Sequence, residues 1–284
     1  MLAWTHSHAR RACAAPCTAL LSHLPTRALW TLRLSVAALA LASARDAWVP
    51  GSAVNGWLFM KAGLSERVAA SADQVGAAIM VGVMVSALLR PSRVAMWAGA
   101  TWFLGLALAR WDHPGEAADH LAPISHAVRI SALIALALLA NERTQSAPRN
   151  MVAAGWALVV GTALTFCGHG IEALAHSGPF VDLMIGTARR WTDLRLAQAT
   201  AEDLLTLIGL QDLLLAGLLL TRRWRWVAGW MALWGLATAL SRVTSMGMDS
   251  WHQSVLRLAN GGAPLTLFLA WPHLARPDPV PLKP

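Results

Sequence analysis

Six ionisable side chains stand inside the long apolar stretches of this 284-residue sequence: His126, Arg129, His169, Glu172, Asp212 and Arg257. An ionisable group in hydrocarbon costs from about 2.5 kcal/mol upwards, so such positions are where chemistry is first sought. Arg129 and Arg257 each fall roughly two turns inside the outer end of an apolar run. A guanidinium stays charged and offers a fixed fork of donors, so the pair could hold an anionic or carbonyl-bearing ligand. It could equally clamp backbone carbonyls or close an internal ion pair. His169, Glu172 and His176 are spaced i, i+3, i+7, one face of a helix, with Gly168 and Gly170 allowing close approach. Three readings stay open for that face: metal or haem ligation, a buried hydrogen-bond network, or contact with a non-metal ligand.

His126 could bind a quinone carbonyl with Arg129, serve as a haem ligand opposite His169, or be hydrogen-bonded within the bundle. Asp212, alone in LIGLQDLLLAGLLL, is expected to face inward and pair with Arg257 or Arg242. Asn260, Gly261, Gly262 and Pro264 interrupt the last apolar run, and a break there would free carbonyls to line a pocket or simply kink the helix. No phosphate-cradling glycine loop, GxSxG, HExxH or paired CxxC is present, which leaves hydrolase, kinase and dinucleotide-binding readings without support. Cys13, Cys17 and Cys167 form neither a disulfide framework nor a metal-ligand set.

The elements that must position these residues follow from composition. Apolar residues make up 56% and charged residues 13% of the chain, against roughly 45–50% and 25% in average soluble domains. Runs of this length cross about 30 Å of hydrocarbon as helices. The expected fold class is all-α: a polytopic transmembrane helical bundle with spans at 28–48, 73–89, 94–109, 121–140, 151–175, 203–220, 226–240 and 251–271. Residues 51–72 form an outer connection with a short amphipathic helix, and 179–201 read as a helix in the interface plane. Arg33, near the inner end of the first span, is expected to snorkel to the phosphates.

The two halves match. Arg93, Trp102 and Arg110 fall against Arg225, Trp234 and Arg242 at one offset, 132 (225 − 93, 234 − 102, 242 − 110), and Arg129 against Arg257 at 128 (257 − 129). The chain therefore divides into a basic tail at 1–27, four-helix membrane units at 28–141 and 150–272, and a short tail at 273–284. These units are tandem four-helix repeats. A net charge of +8 would suggest nucleic acid in a soluble domain, but arginines flanking spans orient a membrane protein instead. With the N-terminus inside, Arg90 and Arg93, Arg143 and Arg149, and Arg222 and Arg223 all fall on inner segments. Both termini are then cytoplasmic, and the two units run parallel. The tail at 1–27 reads as a cytoplasmic extension or a transit peptide, the former preferred.

Arg33 opening the first span, Gly168-His169-Gly170 ending the fifth, and the segments HAVRISALIALALL and LRLANGGAPLTLFLAW together resemble the DoxX-like group of small bacterial membrane proteins. The likeness covers most of 28–271 as two fused units, where that group has one. It implies a redox-linked subunit of the bacterial inner membrane, with quinone or haem as cofactor and a thiol or sulfur oxidoreductase as a redox partner. It points to Arg33, Arg129, His169, Gly170 and Arg257. Two other functions stand beside it: a non-catalytic assembly protein, and a transporter of a small anionic solute. In each the partner is the lipid bilayer and not nucleic acid.

Overall fold

The computed structural model describes residues 25–49, 51–113, 115, 117–140, 148–222 and 224–274. The 1–24 tail with Cys13 and Cys17, the 141–147 link and residues 275–284 lie outside the described residues.

The described chain is helical: α1 (Thr26–Trp48), α2 (Ala53–Gly56) running into a π-helical turn (Trp57–Lys61), α3 (Glu66–Leu88), α4 (Arg93–Asp112), α5 (Ala122–Ser125) and α6 (Ala127–Leu139) form the first half. The second comprises α7 (Pro148–Leu174), α8 (Gly178–Thr192), α9 (Gln198–Thr221), α10 (Arg225–Met246), α11 (Trp251–Leu256) and α12 (Leu258–Leu274). Stops follow the expected chemistry. Gly51 at φ +130° and Gly247 at φ +91° take backbone conformations that side chains resist, and Asp193 at φ +52° ends α8.

Five segments are long and apolar enough to cross a membrane: Thr26–Trp48, Glu66–Leu88, Asp119–Leu139, Arg149–Leu174 and Gln198–Thr221. The expected spans at 94–109, 226–240 and 251–271 are helical but fall outside that set. α4 and α10 carry arginines and tryptophans, and the last run is broken at Arg257.

Packing is reciprocal. α1 lies on α3 and α7 on α9; α4 lies on α6 and α10 on α12; α6 then packs on α7, and α12 on α1. α1, α6, α7 and α12 thus make the interior, filled by Leu32, Val36, Leu39, Leu133, Leu136 and Leu267. α3 and α9 flank it with only 33% of their apolar stretch buried, against 61% in α7, and they show Val81, Val85, Leu207 and Leu214 on the outside. Exposed apolar surface on this scale fits contact with lipid.

Three sequence expectations need correction. Arg33 does not reach outward: it is buried, lies 4.2 Å over the Trp30 ring and donates to the carbonyls of Ala87 (2.7 Å), Leu88 (2.7 Å) and Leu89 (3.0 Å). These are the unpaired carbonyls at the end of α3, and a cation there offsets the helix dipole. The second apolar helix starts at Glu66, not residue 73, because Asp73 is a buried latch. Its Oδ2 accepts from Gly51 N (3.0 Å), Ser52 N (3.3 Å) and Asn55 Nδ2 (3.0 Å), tying the connection after α1 to α3. Finally, α12 runs unbroken through Asn260, Gly261, Gly262 and Pro264. Those glycines serve packing: a Cβ on Gly262 would lie 1.8 Å from Ser35 Oγ, and one on Gly235 would lie 2.5 Å from the Asn260 carbonyl oxygen.

Candidate functional site

The helical runs that end the two halves each break near their N-terminal ends. α5 and α6 meet at His126, and α11 and α12 meet at Arg257. At each junction the backbone tightens to i→i−3 bonding: Arg129 N donates to His126 O (3.0 Å), and Arg257 N donates to Ser254 O (3.0 Å). The first break leaves the Val128 N–H and the Ile124 carbonyl without each other. Thr165 of α7 stands in for the missing bond, its hydroxyl accepting from Val128 N (2.9 Å) and donating to Ile124 O (3.5 Å). The break is thereby held open by a neighbouring helix.

The breaks turn His126, Arg129 and Arg257 into one cavity of about 470 Å³. Its walls come from the end of α1 (Arg45, Asp46), the Asp73-latched loop (Gly51, Ser52, Ala53), α4 (Trp102, Phe103, Leu106, Arg110) and α11 (His252, Gln253, Leu256). Four guanidiniums and two imidazoles therefore meet a single carboxylate, Asp46. That carboxylate is already engaged, with Arg45 Nη1 at 3.3 Å and His252 Nε2 at 3.6 Å. Arg110 Nη1 lies 4.0 Å from Asp119 Oδ1, outside the cavity lining.

Arg129 and Arg257 differ from these two. Arg129 is 6% exposed, its Nε has no hydrogen-bond partner, and no acid among the described residues lies within ion-pair distance. Arg257 donates from Nη1 to its own helix at Gln253 O (2.9 Å) and also lacks an acidic partner among the described residues. A half-satisfied buried guanidinium is costly, and an anion or carbonyl in the cavity would satisfy it.

The remaining sequence candidates separate into other places. Ser125 donates to Glu172 Oε1, and His169 Nδ1 lies 3.1 Å from Glu172 Oε2. Serine, histidine and carboxylate are gathered, but the carboxylate sits between the other two. The imidazole cannot take the serine proton, so this is a hydrogen-bond cluster and not a nucleophile with its base. His176 leaves the cluster. α7 ends at Leu174, His176 adopts φ +49°, and its Nε2 lies 2.9 Å from Thr206 Oγ1. The expected three-residue face therefore stops at two. No group of three metal-ligating side chains occurs among the described residues.

Asp212 is buried in α9, with Oδ1 unpartnered, and has no arginine partner among the described residues. Arg242 instead lies 5.9 Å from the Phe180 ring, and Arg257 faces the cavity. Asn260 is buried against α10, its Oδ1 also unpartnered, away from the cavity lining. Nothing in the local sequence singles out Arg45, Asp46 or His252. Arg110 alone carried a signal, its match to Arg242 across the halves.

No family model, curated protein or solved structure matches this chain.

Proposed function

We propose that this chain is a multi-pass inner-membrane protein of eight spans, built as two parallel four-helix units with both termini cytoplasmic, that binds a small anionic solute at its outer face and carries it. The observation that carries the reading is the 470 Å³ cavity, in which Arg129 and Arg257 bring two guanidiniums with no acid in ion-pair contact among the described residues, Asp46 and Glu172 acting on them only from further off. Contributions from both halves favour a carrier over a scaffold, since a site shared by two parallel units changes when either moves. Uptake of radiolabelled phosphate into proteoliposomes, against empty liposomes and Arg129→Gln, tests it. Uptake at the empty-liposome rate, together with no binding of any anion by the purified protein, would overturn the reading.

The second reading is the redox-linked one that the DoxX-like resemblance implies, with a quinone in the same cavity. His126 beside Arg129, against the aromatic walls of Trp102 and Phe103, suits a ring carbonyl. Organic extraction of the purified protein tests it: stoichiometric quinone, lost in Arg129→Gln, would put this reading first.

A further inference from the structure

Resting on the anion-binding reading, we infer that the ligand the cavity holds best is an organic dianion with an apolar body, ahead of an inorganic dianion such as phosphate or a monocarboxylate. Charge sets the first half of that statement. Within the cavity Asp46 is taken by Arg45 and His252, and Arg110 is turned towards Asp119. Two guanidiniums are left over, one carried by α6 and one by the turn before α12. A monoanion would neutralise one and leave the other, buried Arg129 or half-buried Arg257, without a counter-charge in contact, whereas two negative charges match both.

The wall opposite sets the second half. Trp102, Phe103 and Leu106 from α4 and Leu256 from α11 line the same space, and at about 30 Å³ per water the volume exceeds what an inorganic oxyanion fills. Phe103 is already packed away, but Trp102, Leu106 and Leu256 are only half-buried, and a bare oxyanion would leave what they show of apolar surface wet. A ligand with a ring or short chain beside its charged group covers it and gains the burial.

The test is calorimetric titration of the full-length protein in mild detergent at pH 8 with three probes. Phenyl phosphate is a dianion with an apolar body at this pH, because the second phosphate pKa is about 6. Inorganic phosphate keeps the charge without the body, and benzoate keeps the body with one charge. Phenyl phosphate is expected to bind about tenfold or more tighter than either of the others. Arg129→Gln and Arg257→Gln should each erase its advantage over benzoate, while Leu106→Ala should erase its advantage over inorganic phosphate and leave phosphate binding in place. Arg129→Lys keeps the charge and should retain phosphate binding, which separates loss of the site from loss of the fold.

Equal affinity for phenyl phosphate and inorganic phosphate would overturn the apolar-body inference while leaving the anion reading intact. Equal affinity for phenyl phosphate and benzoate would overturn the dianion. No binding of any of the three by well-folded wild-type protein, or binding unchanged in both arginine variants, would remove the inference and the anion reading together.

Discussion

Thr165 shows how much a single hydroxyl does in this molecule. It serves both backbone groups that the break at His126 leaves unpaired, so Thr165→Val should destabilise by about 1–3 kcal/mol, the cost of buried unsatisfied polar groups. Thr165→Ser should keep most of the stability, and thermal unfolding in detergent of the two variants checks the difference. Asp46 acts in the opposite sense on the ligand. It is the one acid lining the cavity, so Asp46→Asn removes a competing negative charge and should tighten phosphate binding several-fold, read by titration. The arginine pair and His126 were legible at this scale, because charges inside apolar runs stand out without any knowledge of the fold. Asp46, Arg45 and His252 were not: each sits at a helix end among other polar residues, where a charge is unremarkable. Asp212 invited an arginine partner that folding does not supply: α9 does touch α10, which bears Arg242, but that guanidinium lies over the Phe180 ring instead.

Among the elements, glycine position decides which surfaces are contacts. Gly262→Ala would drive its Cβ to 1.8 Å from Ser35 Oγ, where α12 crosses α1, an overpacking cost of about 1–3 kcal/mol. Gly82→Ala and Gly217→Ala meet nothing within 4 Å and should be neutral or stabilising by up to about 1 kcal/mol, from helix propensity alone. Melting temperatures of the three variants, with Ser35→Gly as the expected rescue of Gly262→Ala, distinguish the two kinds of surface. Where the π-helical turn meets the end of α4, Lys61 Nζ and Trp57 Nε1 both donate to Asp112 Oδ2, each at 2.6 Å, and the Lys61 bond, ahead of Trp57, holds that carboxyl below its ordinary value. A depressed acid favours the folded turn above the ordinary carboxylate pKa and loses that contribution as pH falls through its own lower value. An NMR titration should therefore find the Asp112 midpoint below that of a free aspartate, and Lys61→Met should raise it. Helix existence was readable from apolar runs, yet the two breaks were not. His126 stands out by its charge, but nothing in its neighbours marks a break there, and Asn260-Gly261-Gly262 looks like a break but is a close crossing that only a three-dimensional neighbour reveals.

For the whole molecule, the proposed eight spans with cytoplasmic termini make a direct topological prediction. Single cysteines placed in 1–24 and 141–147 should be labelled by an impermeant thiol reagent from one side of the membrane only, and those in 51–64 and at Met248 from the other. Labelling of both sets from the same side would overturn the eight-span topology, and labelling of 1–24 and 141–147 from opposite sides would overturn the parallel arrangement. The reciprocal packing carries a consequence of its own, since α6 is wedged on α7 and α12 returns to α1, while the cavity takes Arg129 from one half and Arg257 from the other. Neither half can therefore recognise a ligand by itself. If the chain is cut within 141–147 and the pieces are made separately, each should be silent towards phosphate, and recognition should return when they are made together. Split in this way, the protein would behave as two chains that must meet before either can bind.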